Sequence, residues 1–283
     1  MAGMQSVGPG DHERPEGADE RSAEAQLNVG EREKRLRRFW RKLPSEPRCK
    51  LCNSPFGGPA GSILRRLGKG PWPANPKYCR FCFRDLYERR SGAEIECSLL
   101  FADIRGSTQI AEVMRPNDYR ALLDRFYAAA TTVLVDHDAI VDKFVGDEVI
   151  GIFIPALTEE LHARRAIDAG LELLRATGHD GERPWLPVGI GVNTGRAYVG
   201  AVGTAEHVEF TALGDAVNIT ARLSSAAAAG EILVTDPAVS SARLDGAGLE
   251  RRHLDLRGKS LATDVLVLTV AGGAPSVLQR HVP

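Results

Sequence analysis

With 283 residues, 43% of them hydrophobic, the chain can bury one sizeable core plus a smaller module without disulfides. A formal net charge of −1 argues against wholesale nucleic-acid binding. No apolar run approaches the ~20 residues that span a bilayer, the N-terminus lacks the apolar core of a signal peptide, and five cysteines, four of them in two CxxC pairs, favour metal ligation in a reducing compartment, so a cytoplasmic protein without membrane partners is expected.

Residues 1–30 are rich in Gly, Glu, Ala and Ser, with scarcely a large apolar side chain, and read as disordered. Residues 31–47 open with EREKRLRRFWRK, a basic helix whose Leu36, Phe39 and Trp40 form a short apolar edge for packing on the next module or a dimer mate. It carries no recognised nucleic-acid motif. Residues 48–92 form a module and linker in which Cys49 and Cys52 are followed, after 26 residues, by Cys79 and Cys82. Two such knuckles present four thiolates, the shell of a structural zinc site, with an iron–sulfur cluster as the competing occupant. The Gly and Pro residues in PFGGPAG and GKGPWPANP suit a loop-built fold. A short helix and linker follow Cys82, placing a domain boundary near residue 93.

The second unit, residues 93–272, begins with an apolar run from Ser98 to Ala102, a buried strand that leads to Asp103. Arg105, Gly106, Ser107 and Thr108 then turn the chain into a helix, and backbone N–H groups at such a turn attract anions. Cys97 reads as a buried thiol. Residues 116–137 have helical periodicity, and a hairpin between AIVDKFV and EVIGIF carries Asp147 at its tip. Two carboxylates beside an anion-binding turn suggest two divalent cations holding a polyphosphate. Residues 158–177 read as one more helix, WLPVGIGVN and RAYVGAVG as two strands with Thr194 and Gly195 at the turn between them, and HVEFTAL as a strand feeding the helix GDAVNITARLSSAAA. Within that helix Asn218 and Arg222 are spaced i, i+4 and can reach one ligand together. Short strands at EILVT, RHLDLR and DVLVLTV complete an α+β sandwich before a tail at 273–283.

FADIRGST and DKFVGDE resemble the two metal-aspartate segments of the class III nucleotidyl cyclases, and EFTALGDAVNITARL resembles their substrate and transition-state segment, all in that family's order over about 180 residues. The resemblance implies the cyclase fold, a ferredoxin-like βαβ sandwich, and a homodimer with two composite sites that convert ATP to 3′,5′-cyclic AMP and pyrophosphate. It also implies two Mg2+ or Mn2+ ions per site on Asp103, Asp147 and the Ile104 carbonyl, a ribose-positioning Asn218, a transition-state Arg222 and a purine-recognising Lys143. Thr211 stands where many adenylate cyclases carry Asp, a departure typical of the class IIIb subgroup, whose members often respond to bicarbonate or carbon dioxide. Arg257 matches a lysine that contacts terminal phosphates, with Lys259 as its fallback.

Lysine donates to the adenine ring nitrogen, whereas guanine offers an N–H there. Lys143 therefore favours ATP. Two other readings compete: a weakly active, nucleotide-binding regulator signalling through the four-cysteine module, and a zinc-ribbon nucleic-acid-binding protein supported by the basic helix alone.

Overall fold

The computed structural model describes residues 31–43, 47–72, 75–89, 92–204, 208–255 and 263–270. The expected disorder of 1–30, the tail, Arg257 and Lys259 lie outside them. In chain order the elements are α1 (Glu31–Arg41), α2 (Gly58–Arg66), β1 (Pro71–Trp72), β2 (Asn75–Cys79), α3 (Arg80–Arg89), β3 (Gly92–Ile104), α4 (Ser107–Val113), α5 (Pro116–Asp136), β4 (Ile140–Val145) and β5 (Glu148–Phe153). There follow α6 (Pro155–Thr158), a 3-10 turn (Glu159–Leu161), α7 (His162–Ala176), β6 (Val188–Gly203), β7 (Val208–Leu213), α8 (Asp215–Ala226), β8 (Glu231–Thr235), α9 (Asp236–Ser241), β9 (Arg251–Leu254) and β10 (Thr263–Thr269).

Eight strands form one sheet in the order β4-β5-β3-β6-β8-β10-β9, with β7 paired to the C-terminal half of β6. The β6–β8 pair is parallel and the others are antiparallel. Strand alternation sends Leu100, Ala102 and Ile104 toward α5 and α7, where they pack with Phe126, Leu134 and Ile167. Leu99 and Phe101 enter a second cluster with Ile152, Val199 and Phe210 on the opposite face. Both faces of β3 are covered, which is why its sequence reads as a continuous apolar run.

The cover on the second face comes partly from the four-cysteine module. Tyr78 and Phe83 belong to the same buried cluster as Leu99 and Phe101, and Trp72 stacks on Phe83 at 5.3 Å. Burying each such ring contributes ~1.5–3 kcal/mol. The Phe210 N–H donates to the Tyr78 hydroxyl at 2.9 Å, so the buried phenol is satisfied as well as packed. One core thus runs across the sequence position where a boundary is expected.

Four local expectations change. The 16-residue β6 is continuous, because it zips along the 13-residue β3 from Gly92↔Gly200 to Ile104↔Val188; Gly195 faces the Ala216 side chain and is no turn. The helix expected over 158–177 breaks at Glu159, whose φ is +56°. PFGGPAG, expected as loop, supplies most of the first turn and a half of α2, with Pro59 suited to an early helical position. Among the α1 side chains described, the buried one is Arg37, 3% exposed, whereas Phe39 is 53% exposed. The Arg37 guanidinium donates to the carbonyls of Leu51 and Ala139, which joins α1 to both the first cysteine knuckle and the residue before β4.

Candidate functional site

Asp103 is the penultimate residue of β3, opposite Glu148 of β5 and Gly189 of β6. Asp147 follows Gly146 in the two-residue turn between β4 and β5, and Gly146 has φ +61°, a conformation that glycine adopts without strain. Three contacts hold this tip. The Ile104 N–H donates to the Asp147 carbonyl at 3.3 Å, the Tyr127 hydroxyl donates to the Gly146 carbonyl, and the Tyr127 ring stacks on Phe144 at 4.3 Å. Tyr127, on α5, is a positioning residue that the sequence reading did not single out.

The two carboxyl groups sit close enough to influence each other's protonation. Burial raises Asp103 to about 6 although the adjoining Arg105 guanidinium opposes it. Asp147 lies below the ordinary carboxylate range: burial works against this, but hydrogen bonds from Ser107 and Asp103 stabilise its charged form. Part of this difference comes from the hydrogen bond between the two carboxyl groups, which raises Asp103 and lowers Asp147. Glu148 is pushed up to about 7 by burial, and it accepts a 3.1 Å hydrogen bond from Ser224 of α8. The donor set is all oxygen, the chemistry that Mg2+ or Mn2+ requires, and the Ile104 carbonyl belongs to the same strand end.

Lys143 and Thr211 meet at a fourth carboxylate, Asp142. The Thr211 hydroxyl donates to Asp142 Oδ2 at 2.7 Å, and Lys143 Nζ lies 3.8 Å from that same oxygen. The other oxygen, Oδ1, accepts from Lys50 Nζ at 2.8 Å. Lys50 also donates to the Phe210 carbonyl at 2.8 Å, and its side chain is 6% exposed. Neither Asp142 nor Lys50 stands out by sequence pattern. Asp142 adjoins Lys143, which is the one signal that could have drawn attention to it.

Asn218 is exposed and Arg222 half-buried on α8, while Ala216, Thr220, Leu223 and Ser224 form its buried side. A Cβ on Gly191 of β6 would lie 2.5 Å from the Ser224 nitrogen, so this glycine is what lets the helix sit against the sheet. Arg105 Nη1 donates to the Ser225 carbonyl at 2.8 Å, tying the end of α8 to the Asp103 segment. Among the described residues no hydrogen bond or ion pair joins Asn218 or Arg222 to either aspartate. Within one chain the structure therefore gathers Asp103, Ile104 and Asp147 at one place and Lys143 with Thr211 at another, with Asn218 and Arg222 bonded to neither group among the described residues.

The sulfur atoms of Cys49, Cys52, Cys79 and Cys82 all lie within 4.8 Å of one another, with Cys52 and Cys79 at 3.8 Å. A tetrahedral metal ~2.3 Å from each sulfur would space them roughly 3.8 Å apart. The Cys79 N–H donates to Cys49 Sγ at 3.2 Å. Hydrogen bonds from Cys49 and its neighbours hold Cys52 well below the ordinary thiol range and Cys79 at about 7. Burial pushes Cys49 up, and the hydrogen bond to Cys49 does the same to Cys82. Four thiols competing for protons in this way suit a dication that would replace them. Cys97 stands apart, fully buried and raised to about 12 by that burial, as an inert core thiol.

Residues 91–268 match the family profile of the adenylate and guanylate cyclase catalytic domain. Similar proteins include the terminal-differentiation-specific adenylate cyclase of Dictyostelium discoideum, 36% identical over 129 residues that make up 44% of this chain and 6% of that protein. The crystal structure of the adenylyl cyclase CyaB from P. aeruginosa superposes with a TM-score of 0.55 at 25% identity, covering 62% of this chain and 95% of that one. The guanylyl cyclase Cya2 shares the fold, with a TM-score of 0.56 at 24% identity, over 68% of this chain and 96% of that one. The chain spans only a small part of the curated relatives it matches, 6%, 20% and 26% of three of them.

Proposed function

The chain belongs to the adenylate and guanylate cyclase catalytic-domain family, and from that premise we propose that it is an adenylate cyclase of the class IIIb type, working as a homodimer in cytoplasmic second-messenger signalling. In the reaction the ribose 3′-oxygen of ATP loses its proton and bonds to the α-phosphorus, while the bond from that phosphorus to the bridging oxygen breaks and pyrophosphate leaves. Asp103, Asp147 and the Ile104 carbonyl would hold two divalent cations, whose chemistry when bound is to acidify the attacking hydroxyl and neutralise the leaving oxygens. Asn218 orients the ribose and Arg222 donates to the α-phosphate oxygens as charge develops on them. Arg257 contacts the terminal phosphates, and its planar fork suits them.

The observation that carries the choice of ATP is the meeting of Lys143 and Thr211 at Asp142 Oδ2. Lys143 donates to the unprotonated adenine ring nitrogen, and the Thr211 oxygen accepts from the adenine amino group. Purified protein supplied with ATP or GTP and Mg2+ or Mn2+, with and without bicarbonate, should form cyclic AMP from ATP in clear excess over cyclic GTP from GTP. The reverse preference would reassign the substrate, and no cyclic product from either would return the chain to a regulatory role.

The four cysteines hold one structural zinc ion in this reading, supported by the sulfur spacing and by a ligand set of four thiolates. Elemental analysis should find about one zinc per chain. Iron with visible absorption would replace zinc by a cluster. Reduced cysteines fit the cytoplasm, and no helix among the described residues is long and apolar enough to cross a membrane.

A further inference from the structure

Lys50 lies between two cysteines of the first knuckle, yet its ammonium group reaches the catalytic sheet and binds a carboxylate 92 positions away. Asp142 is 5% exposed and has both oxygens engaged by donors: Oδ1 by Lys50 at 2.8 Å, Oδ2 by the Thr211 hydroxyl at 2.7 Å. A carboxylate only accepts, and a threonine hydroxyl has a single hydrogen. While Asp142 takes that hydrogen, Thr211 can show a ligand nothing but lone pairs.

We propose that Asp142, held in place by Lys50 of the four-cysteine module, is a specificity-determining residue that sets the polarity of Thr211 and so selects adenine over guanine. The proposal rests on the reading of Lys143 and Thr211 as the purine contacts. Adenine presents an amino donor at position 6 and guanine presents a carbonyl acceptor there. A Thr211 restricted to accepting pairs with the first and leaves the second without a donor, and a site built for a hydrogen bond discriminates strongly against the analogue that cannot make it. Threonine alone would be indifferent, because its hydroxyl rotates to suit either partner. The carboxylate removes that freedom. Lys50 supplies the geometry: it grips Asp142 and the Phe210 carbonyl, the residue before Thr211, so one ammonium group fixes both sides of the contact.

Asp142→Asn tests this with little change of shape. Lys50 can only donate, so it takes the amide oxygen and turns the amide nitrogen toward Thr211, whose hydroxyl must then accept and release its hydrogen toward the base. The ratio of kcat/KM for ATP to that for GTP should fall at least ~10-fold, the size expected for one discriminating hydrogen bond. A Thr211→Val background has no hydroxyl to reorient, and there the same substitution should leave the ratio within about twofold. Asp142→Glu, which keeps an acceptor, should retain the ATP preference even where both rates drop. A second route avoids an unpaired buried charge: Lys50→Met with Asp142→Leu removes both partners together, frees the same hydrogen and should lower the ratio too.

An unmoved ratio in both the Asn variant and the double variant, with wild-type protein active on ATP, overturns the role of Asp142 and leaves the adenylate cyclase reading intact. So does an equal fall in the Thr211→Val background. Wild-type protein that cyclises neither nucleotide overturns both.

Discussion

Asp103→Ala and Asp147→Ala should each lower kcat by at least ~1,000-fold, since loss of several kcal/mol of transition-state charge stabilisation corresponds to about three powers of ten. Each substitution removes one of the two carboxylates that crowd together at the end of β3 and the tip of the β4–β5 hairpin. For Asp103 the loss should not come from unfolding, whereas Asp147, held below the ordinary range, favours the fold when ionised, so Asp147→Ala should melt slightly lower. Asp103 has a folded pKa of about 6, above its ordinary value, because of burial. A carboxyl group raised in this way favours the fold at low pH, and that contribution is lost as pH rises through about 6. At pH 7 the ionised Asp103 therefore opposes folding, and Asp103→Ala should melt at the same temperature as wild type or higher. Circular dichroism melts beside a cyclic AMP assay make the comparison. Near-normal cyclic AMP production by either variant would remove the two-carboxylate assignment, and a collapsed melting temperature with the activity loss would make the role structural. Trading stability for a charged site is a common bargain in enzymes.

The second large effect concerns assembly. Arg222→Ala alone should lower kcat by ~100- to 1,000-fold with KM little changed, as for loss of one donor to a developing oxyanion. Mixed with Asp103→Ala chains, it should regain activity that neither variant has. The resemblance to the cyclases, together with the lack of any hydrogen bond or ion pair among the described residues from Asn218 or Arg222 to Asp103 or Asp147, motivates the expectation that each site draws on two chains. Two-fold symmetry then makes two equivalent sites, one of which inherits both defects in a mixed dimer while the other inherits neither. With random pairing roughly half the dimers are mixed and half of their sites are whole, so recovery should approach about a quarter of wild type. A mixture that stays inactive after demonstrated chain exchange would mean that the site is built within one chain.

The local settings of the candidate site residues were legible in the sequence because their signals are short-range. Asp103 and Asp147 each stand at a turn whose glycine and flanking apolar runs announce a strand end or a hairpin tip, and the local geometry follows from a handful of neighbouring residues. The CxxC pairs announce themselves by spacing alone, and the four sulfurs do converge. Most strands and helices of the catalytic unit likewise follow from apolar periodicity over a few turns or pleats. Thr194 and Gly195 misled for the complementary reason. As a dipeptide they read as a turn, but pairing along the whole of β3 and the approach of Ala216 hold them extended, an instance of tertiary context overriding local preference.

By itself, then, the sequence determined the α+β class, most strands and helices of the catalytic unit, the turns that carry the two aspartates, the i, i+4 pair on α8 and the four thiols. Only the tertiary structure decided that the four-cysteine module closes one face of the catalytic sheet through Tyr78 and Phe83, that on α1 Arg37 is buried and Phe39 is not, and that Lys50 reaches Asp142 beside Thr211. The physical reason is one of range. Turns, caps and periodicity arise from interactions between residues a few positions apart, so their causes are written side by side. The Lys50–Asp142–Thr211 chain joins groups 92 and 69 positions apart. It exists because packing two aromatic rings on the sheet brings Lys50 and Asp142, 6% and 3% exposed at their side chains, to where each satisfies the other.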